Sequence, residues 1–227
     1  MARIFLALAV FAVLLLIVNI LVGHALGDLG ESSRRYEAAR QTAHEIELSE
    51  TTTNQEVLTA RHEKDRMLAA LGTMRRRFQP HVWLGIVAAL VTILVNCISV
   101  TYFIGTSRWC REVVEAYGLD QELAQRSRKL KRRSFPFAFL GIVTTLVIIA
   151  LGAASDPGAS LASPAAWVMP HFLVAWIGTA LIALAFSYQV AAIGENYIVI
   201  NQILDEANRV RASVQNSAPE IAQPTSS

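Results

Sequence analysis

Four stretches of this chain run for 20 residues or more without an Asp, Glu, Lys or Arg. They are Ile4–Leu26, Val82–Gly105, Phe135–Ala154 and Trp167–Gly194. A helix needs about 20 apolar residues to cross the hydrocarbon of a bilayer. A buried helix of a soluble domain is shorter and carries a polar face. The expected fold is therefore an all-α integral membrane protein with four transmembrane helices. The first run exceeds the length of a signal-peptide apolar core and reads as an uncleaved anchor.

Between the runs, charge is crowded. Only 17% of the 227 residues are charged, against about a quarter in soluble domains. The loop 106–134 holds eight basic and four acidic residues, and the loop 155–166 holds no Lys or Arg. Cations are retained on the cytoplasmic side, most strongly in short loops. Residues 106–134 are thus expected inside and 155–166 outside, with both termini cytoplasmic. Residues 27–81 then lie outside. Their nine basic and nine acidic residues cancel, and long segments translocate largely regardless of charge. The bias of 17 Arg over 3 Lys, with abundant Ala, fits a GC-rich bacterial genome and a bacterial inner membrane.

The exported segment reads as a helical hairpin of coiled-coil type. Val57, Ala60, Met67, Leu71 and Met74, continued by Phe78, recur at three- and four-residue steps, interrupted by Lys64. Tyr36, Ala39, Ala43 and Ile46 repeat that step upstream, which places one seam between two helices. A turn is expected near 49–54, with Thr53 and Glu56, or Thr52 and Gln55, forming a capping box. The first arm is expected to continue span one, and the second to run into span two. Two lone helices are marginal in water, so a homo-oligomer or other membrane subunits are the expected partners.

On the cytoplasmic side, residues 107–117 read as an interfacial helix with Trp109, Cys110, Val113, Val114 and Tyr117 on one face. Gly118 suits a C-cap and Asp120 an N-cap for the basic helix that follows. Its cluster Arg126, Arg128, Lys129, Lys131, Arg132 and Arg133 is the candidate anionic-lipid contact. No aromatic residues interleave with it, so nucleic acid is not expected. Past span four, Ile193, Tyr197, Ile200, Leu204, Ala207 and Val214 carry a helical pattern through 195–214. The tail 215–227 has a disordered composition.

Within span four, Ala175, Thr179, Ala183, Ser187 and Ala191 recur every fourth residue, with His171 and Glu195 at the ends of the row. Such small-residue rows permit close helix approach in lipid, so this row is the expected helix-packing ridge. Asn19 and Asn96 are expected interhelical hydrogen-bond partners.

Chemistry is sparse. The five histidines are scattered, and "HEIE" and "RHEK" lack the second His of a zinc protease motif. No Walker A loop, Gly-rich dinucleotide turn, CxxC or nucleophile elbow is present. No catalytic residue, cofactor site or metal site is expected. The leading function is a non-enzymatic accessory, scaffold or assembly subunit. The alternative is a small-solute transporter or channel subunit, with Asn19, Asn96 and His171 on a polar path. A third is a membrane sensor with a helical external domain, although the stretch after span two lacks the proline-containing linker common in such receptors.

The orientation is directly testable. With Cys97 and Cys110 changed to Ser, Thr52→Cys is expected to react with an impermeant thiol reagent in intact cells, and Gln125→Cys only after lysis. The reverse pattern would invert the topology.

Overall fold

The computed structural model describes residues 2–26, 29–49, 53–156 and 164–217. Five helices follow one another: α1 (Ala2–Ala25), α2 (Leu29–Leu48), α3 (Asn54–Tyr117), α4 (Gln121–Ala154) and α5 (Ala165–Ser217). The described residues contain no strand. The helices α1, α3, α4 and α5 are long and apolar enough to cross a membrane. The expected turn residues 50–52, most of the loop 155–166 and nearly all of the tail lie outside the described residues.

Helix continuity exceeds the sequence expectation. The 64 residues of α3 span about 96 Å at 1.5 Å per residue. The arm, the second apolar run and residues 107–117 are all parts of it. The last of these is therefore not a separate interfacial helix; Ser107, Cys110 and Val114 are buried against the rest of the protein. In α4 the basic turns pass straight into the third apolar run through Pro136. Pro80 and Pro170 likewise lie inside α3 and α5, near the starts of their apolar runs. Each proline removes one i→i−4 bond. At the other end of the chain, α1 ends at Ala25 and α2 begins at Leu29; the expected continuation of span one into the first arm passes through residues 27–28, which lie outside the described residues.

The capping signals act locally as their chemistry requires. Glu56 Oε2 accepts from the Thr53 amide and hydroxyl at 2.8 Å each, and the Glu56 amide donates back to Thr53 Oγ1 at 3.4 Å. Those bonds hold the Glu56 carboxyl below the usual range. Gly118 takes φ 61°, a left-handed conformation that costs glycine nothing. The Leu119 amide then returns to Val114 O at 3.0 Å, closing the helix end. Asp120 Oδ1 accepts from the Glu122 amide at 2.9 Å and starts α4.

Two compact units divide the chain. Residues 1–9, 94–141 and 184–227 form the first, and residues 10–93 and 142–183 form the second. The second unit contains the hairpin. There Leu71 and Ala43 are buried, and Val57, Ala60, Met67, Met74, Tyr36, Ala39 and Ile46 are half-buried. Ser33 joins the same seam; its polarity hid it from a hydrophobic reading. Near the turn, Arg61 Nε donates to Glu47 Oε1 at 2.7 Å and ties the arms together. Arg75 pairs with Asp156 at 3.2 Å.

The small-residue row of α5 is buried along part of its length in the single chain. Ala175 and Thr179 are buried and Ala183 half-buried, but Ser187 and Ala191 are exposed. A four-residue step turns about 40° around the helix, so a straight row rotates out of any contact within three steps. The buried face instead follows Ala175, Thr179, Ile182, Phe186, Gln189, Ile193, Asn196, Val199, Ile203 and Ala207. The expected cytoplasmic stripe shifts in the same way: Tyr197, Leu204 and Val214 are exposed, because the true seam passes through polar Asn196.

The hairpin seam generates a test. Leu71→Asp places a carboxylate on a buried position, at a cost of about 2–4 kcal/mol, and is expected to speed limited proteolysis of the arms. Arg66→Asp, at a side chain 73% exposed, is expected to leave the rate unchanged. Equal rates for Leu71→Asp and the unaltered chain would misplace the seam.

Candidate functional site

The most unusual group in the first unit is a run of polar side chains inside an apolar bundle. On α3 it comprises Asn96, Ser99, Tyr102, Thr106 and Ser107. On α5 it comprises Gln189 and Asn196, seven residues apart and hence on one face. An unpartnered amide in an apolar medium costs several kcal/mol, so these groups must find one another, and they do. Gln189 Nε2 donates to Asn96 Oδ1 at 3.0 Å. Asn196 Nδ2 donates to Tyr102 OH at 3.2 Å and to Thr106 Oγ1 at 3.1 Å. Asn96, Gln189 and Asn196 are fully buried.

The threonines are satisfied within their own helix. Thr92 Oγ1 donates to Ala88 O at 2.7 Å and Thr106 Oγ1 to Tyr102 O at 2.8 Å, the usual back-bond of a helical hydroxyl.

α4 completes the seam with small residues. Leu123, Ser127, Leu130, Ser134, Ala138 and Gly141 recur at three- or four-residue steps and are buried. Ser107 Oγ and Ser127 Oγ lie 3.2 Å apart. A methyl group at Gly141 would stand 2.8 Å from both the Nδ2 and Oδ1 atoms of Asn96. Only a glycine lets α4 come that close to an amide already committed to α5. Cys110, buried beside Ser127, has its thiol pushed up by burial and is a packed small side chain rather than a nucleophile.

The network is not saturated. Gln189 Oε1, Asn196 Oδ1, Ser99 Oγ and Ser134 Oγ are buried and have no hydrogen-bond partner among the described residues. Carboxamides and hydroxyls of this kind cross-link helices or solvate a small polar guest. The carboxamides do not ionise near neutral pH.

The second unit uses glycine differently. His81 Nδ1 lies 3.0 Å from Asn19 O, and the imidazole rests on Gly23, where a methyl group would come within 2.8 Å. The His171 ring rests on Gly152 in the same manner, with 3.0 Å to an added methyl. The Asn19 amide lies against Gly85, and Gly178 against Thr144 and Ile148. Among the described residues no group of three or more His, Cys, Asp or Glu could hold a metal ion.

Asn96 was legible as an interhelical partner, and its mate Gln189 was legible as a polar residue within a span. Asn19 instead engages through its backbone carbonyl. Asn196, Tyr102 and Thr106 were missed because Asn196 lies past the apolar run; its seven-residue distance from Gln189 was the available signal. The six cations of α4 lie together in its first four turns. No protein-family model matches the chain, and comparison with curated proteins and with solved structures finds no match.

The close approach at Gly141 makes a sharp prediction. Gly141→Ala is expected to push Asn96 from Gln189 and lower the thermal midpoint of the detergent-solubilised protein. Gly105→Ala, where an added methyl meets nothing within 4 Å, is expected to be neutral or stabilising by about 0.5–1 kcal/mol. The opposite ranking would remove Asn96 from the seam.

Proposed function

We propose that this chain is a non-enzymatic integral membrane protein that works as an accessory, scaffold or assembly subunit through helix–helix contacts. The observation that carries this reading is the length of α3. At about 96 Å one unbroken helix is about three times as long as the hydrocarbon is thick. It therefore supplies packing faces on both sides of a bilayer as well as within it. In the proposed placement both termini lie in the cytoplasm of a bacterial cell, and the α2–α3 hairpin lies outside. The hairpin seam is mostly half-buried, which suits a second copy or another subunit closing over it.

A second reading is favoured by the unsaturated amides. Gln189 Oε1 and Asn196 Oδ1, buried in a polar run along α3 and α5, suit a small-solute transporter or channel subunit. Here the polar path runs through Asn96, Gln189 and Asn196 rather than through Asn19, Asn96 and His171 as one set.

Purification in mild detergent separates the two. The scaffold reading expects a stable oligomer or a partner at fixed stoichiometry, and no solute flux in vesicles holding this chain alone. A monomer without partners that catalyses flux would replace it with the transporter reading.

A further inference from the structure

The strongest unused feature is the cationic start of α4. The buried face of that helix is taken by Leu123, Ser127, Leu130 and Ser134. At about 100° per residue, the exposed arc between those positions is covered by Arg128, Lys129, Arg132 and Arg133, all exposed. Arg126 and Lys131 flank it, half-buried. No acid follows Glu122 in α4.

Two carboxylates of the same unit, Glu112 and Glu115, are committed to arginines of α3. At the end of α3, Arg108 Nε donates to Glu112 Oε1 at 2.8 Å, and Arg111 pairs with Glu115 at 4.0 Å. The Arg108 contact holds the Glu112 carboxyl below its usual range. From α5, the neutral Gln202 Oε1 accepts from Arg126 Nη1 at 3.1 Å. Among the described residues these four exposed cations make no side-chain hydrogen bond or ion pair. They are held on a continuous helix that enters its apolar run at Phe135, within two residues of Arg133.

We propose that this collar binds the headgroups of anionic phospholipids, with Arg128, Lys129, Arg132 and Arg133 as the contact and the acyl chains lying along the apolar run that follows. The inference rests on the membrane placement proposed above. Guanidinium groups match phosphate oxygens two at a time, and several cations at one membrane surface add their attraction. A free phosphate would satisfy the charge but not the apolar wall beside it, so the lipid is the favoured source.

The test uses the full chain purified in non-ionic detergent and mixed with equal amounts of phosphatidylglycerol and phosphatidylcholine, with bound lipid counted by native mass spectrometry. The unaltered chain is expected to retain phosphatidylglycerol selectively, and excess inorganic phosphate is expected not to displace it. A variant with Arg128→Gln, Lys129→Gln, Arg132→Gln and Arg133→Gln is expected to retain at least about tenfold less. Removing four cations elsewhere, with Arg34→Gln, Arg35→Gln, Arg76→Gln and Arg77→Gln, is expected to change little. Should the collar variant fold poorly, Arg132→Gln with Arg133→Gln reads the same loss at smaller size. Equal retention by collar and control variants, no lipid preference, or displacement by phosphate would overturn the proposal. Alkaline carbonate washing of membranes keeps the two failures apart. A chain that stays in the membrane yet shows no selectivity sinks the collar alone, whereas a chain that washes off sinks the membrane placement with it.

Discussion

The arrangement of α3, α4 and α5 in the first unit depends on one hydrogen bond, Gln189 Nε2 to Asn96 Oδ1. In hydrocarbon, apolar side chains give helices little reason to associate, since lipid is as apolar as leucine. Shape and polar contacts then set register. A carboxamide on α3 and another on α5 pair only where the two helices align, and Gly141 admits α4 to the same point. About two turns further along, Asn196 repeats the arrangement with Tyr102 and Thr106. Two polar ties on one seam fix both the rotation and the axial position of α5 against α3, which a seam of Ile and Ala alone would leave loosely determined.

Continuity of the helices extends that local order. α3 carries the capped arm at one end and the Gly118 stop at the other, with no break between. Asn96 and Leu71 are thus residues of one helix, each packed within its own unit. The glycine-seated imidazoles of the second unit, His81 on Gly23 and His171 on Gly152, let bulky rings fill inter-helix space without separating the backbones.

Much of this architecture could be read from the residues. Apolar runs without charge marked the four long helices, and the Thr53–Glu56 box, Gly118 and Asp120 marked ends that the structure reproduces. What the sequence concealed was the choice of face. A stripe of small residues at four-residue steps passes, within the single chain, from buried at Ala175 and Thr179 to exposed at Ser187. The real seam advances by three or four residues and includes Gln189 and Asn196, which a hydrophobic pattern skips. Polar seam residues are invisible to such a pattern because their value comes from a partner on another helix, and nothing local announces the partner. Ser33 in the hairpin and Gly141 in α4 were missed for the same reason.

The account therefore stands on whether Asn96 and Gln189 act as a pair. A double-mutant cycle of Asn96→Ala and Gln189→Ala, read as reversible unfolding of the protein in detergent micelles, measures that directly. Interhelical hydrogen bonds in membrane proteins are worth about 0.6 kcal/mol on average and up to about 1.7 kcal/mol, so a coupling energy in that range is the predicted result. Single substitutions that add to within about 0.3 kcal/mol would show that the two amides do not hold the helices together.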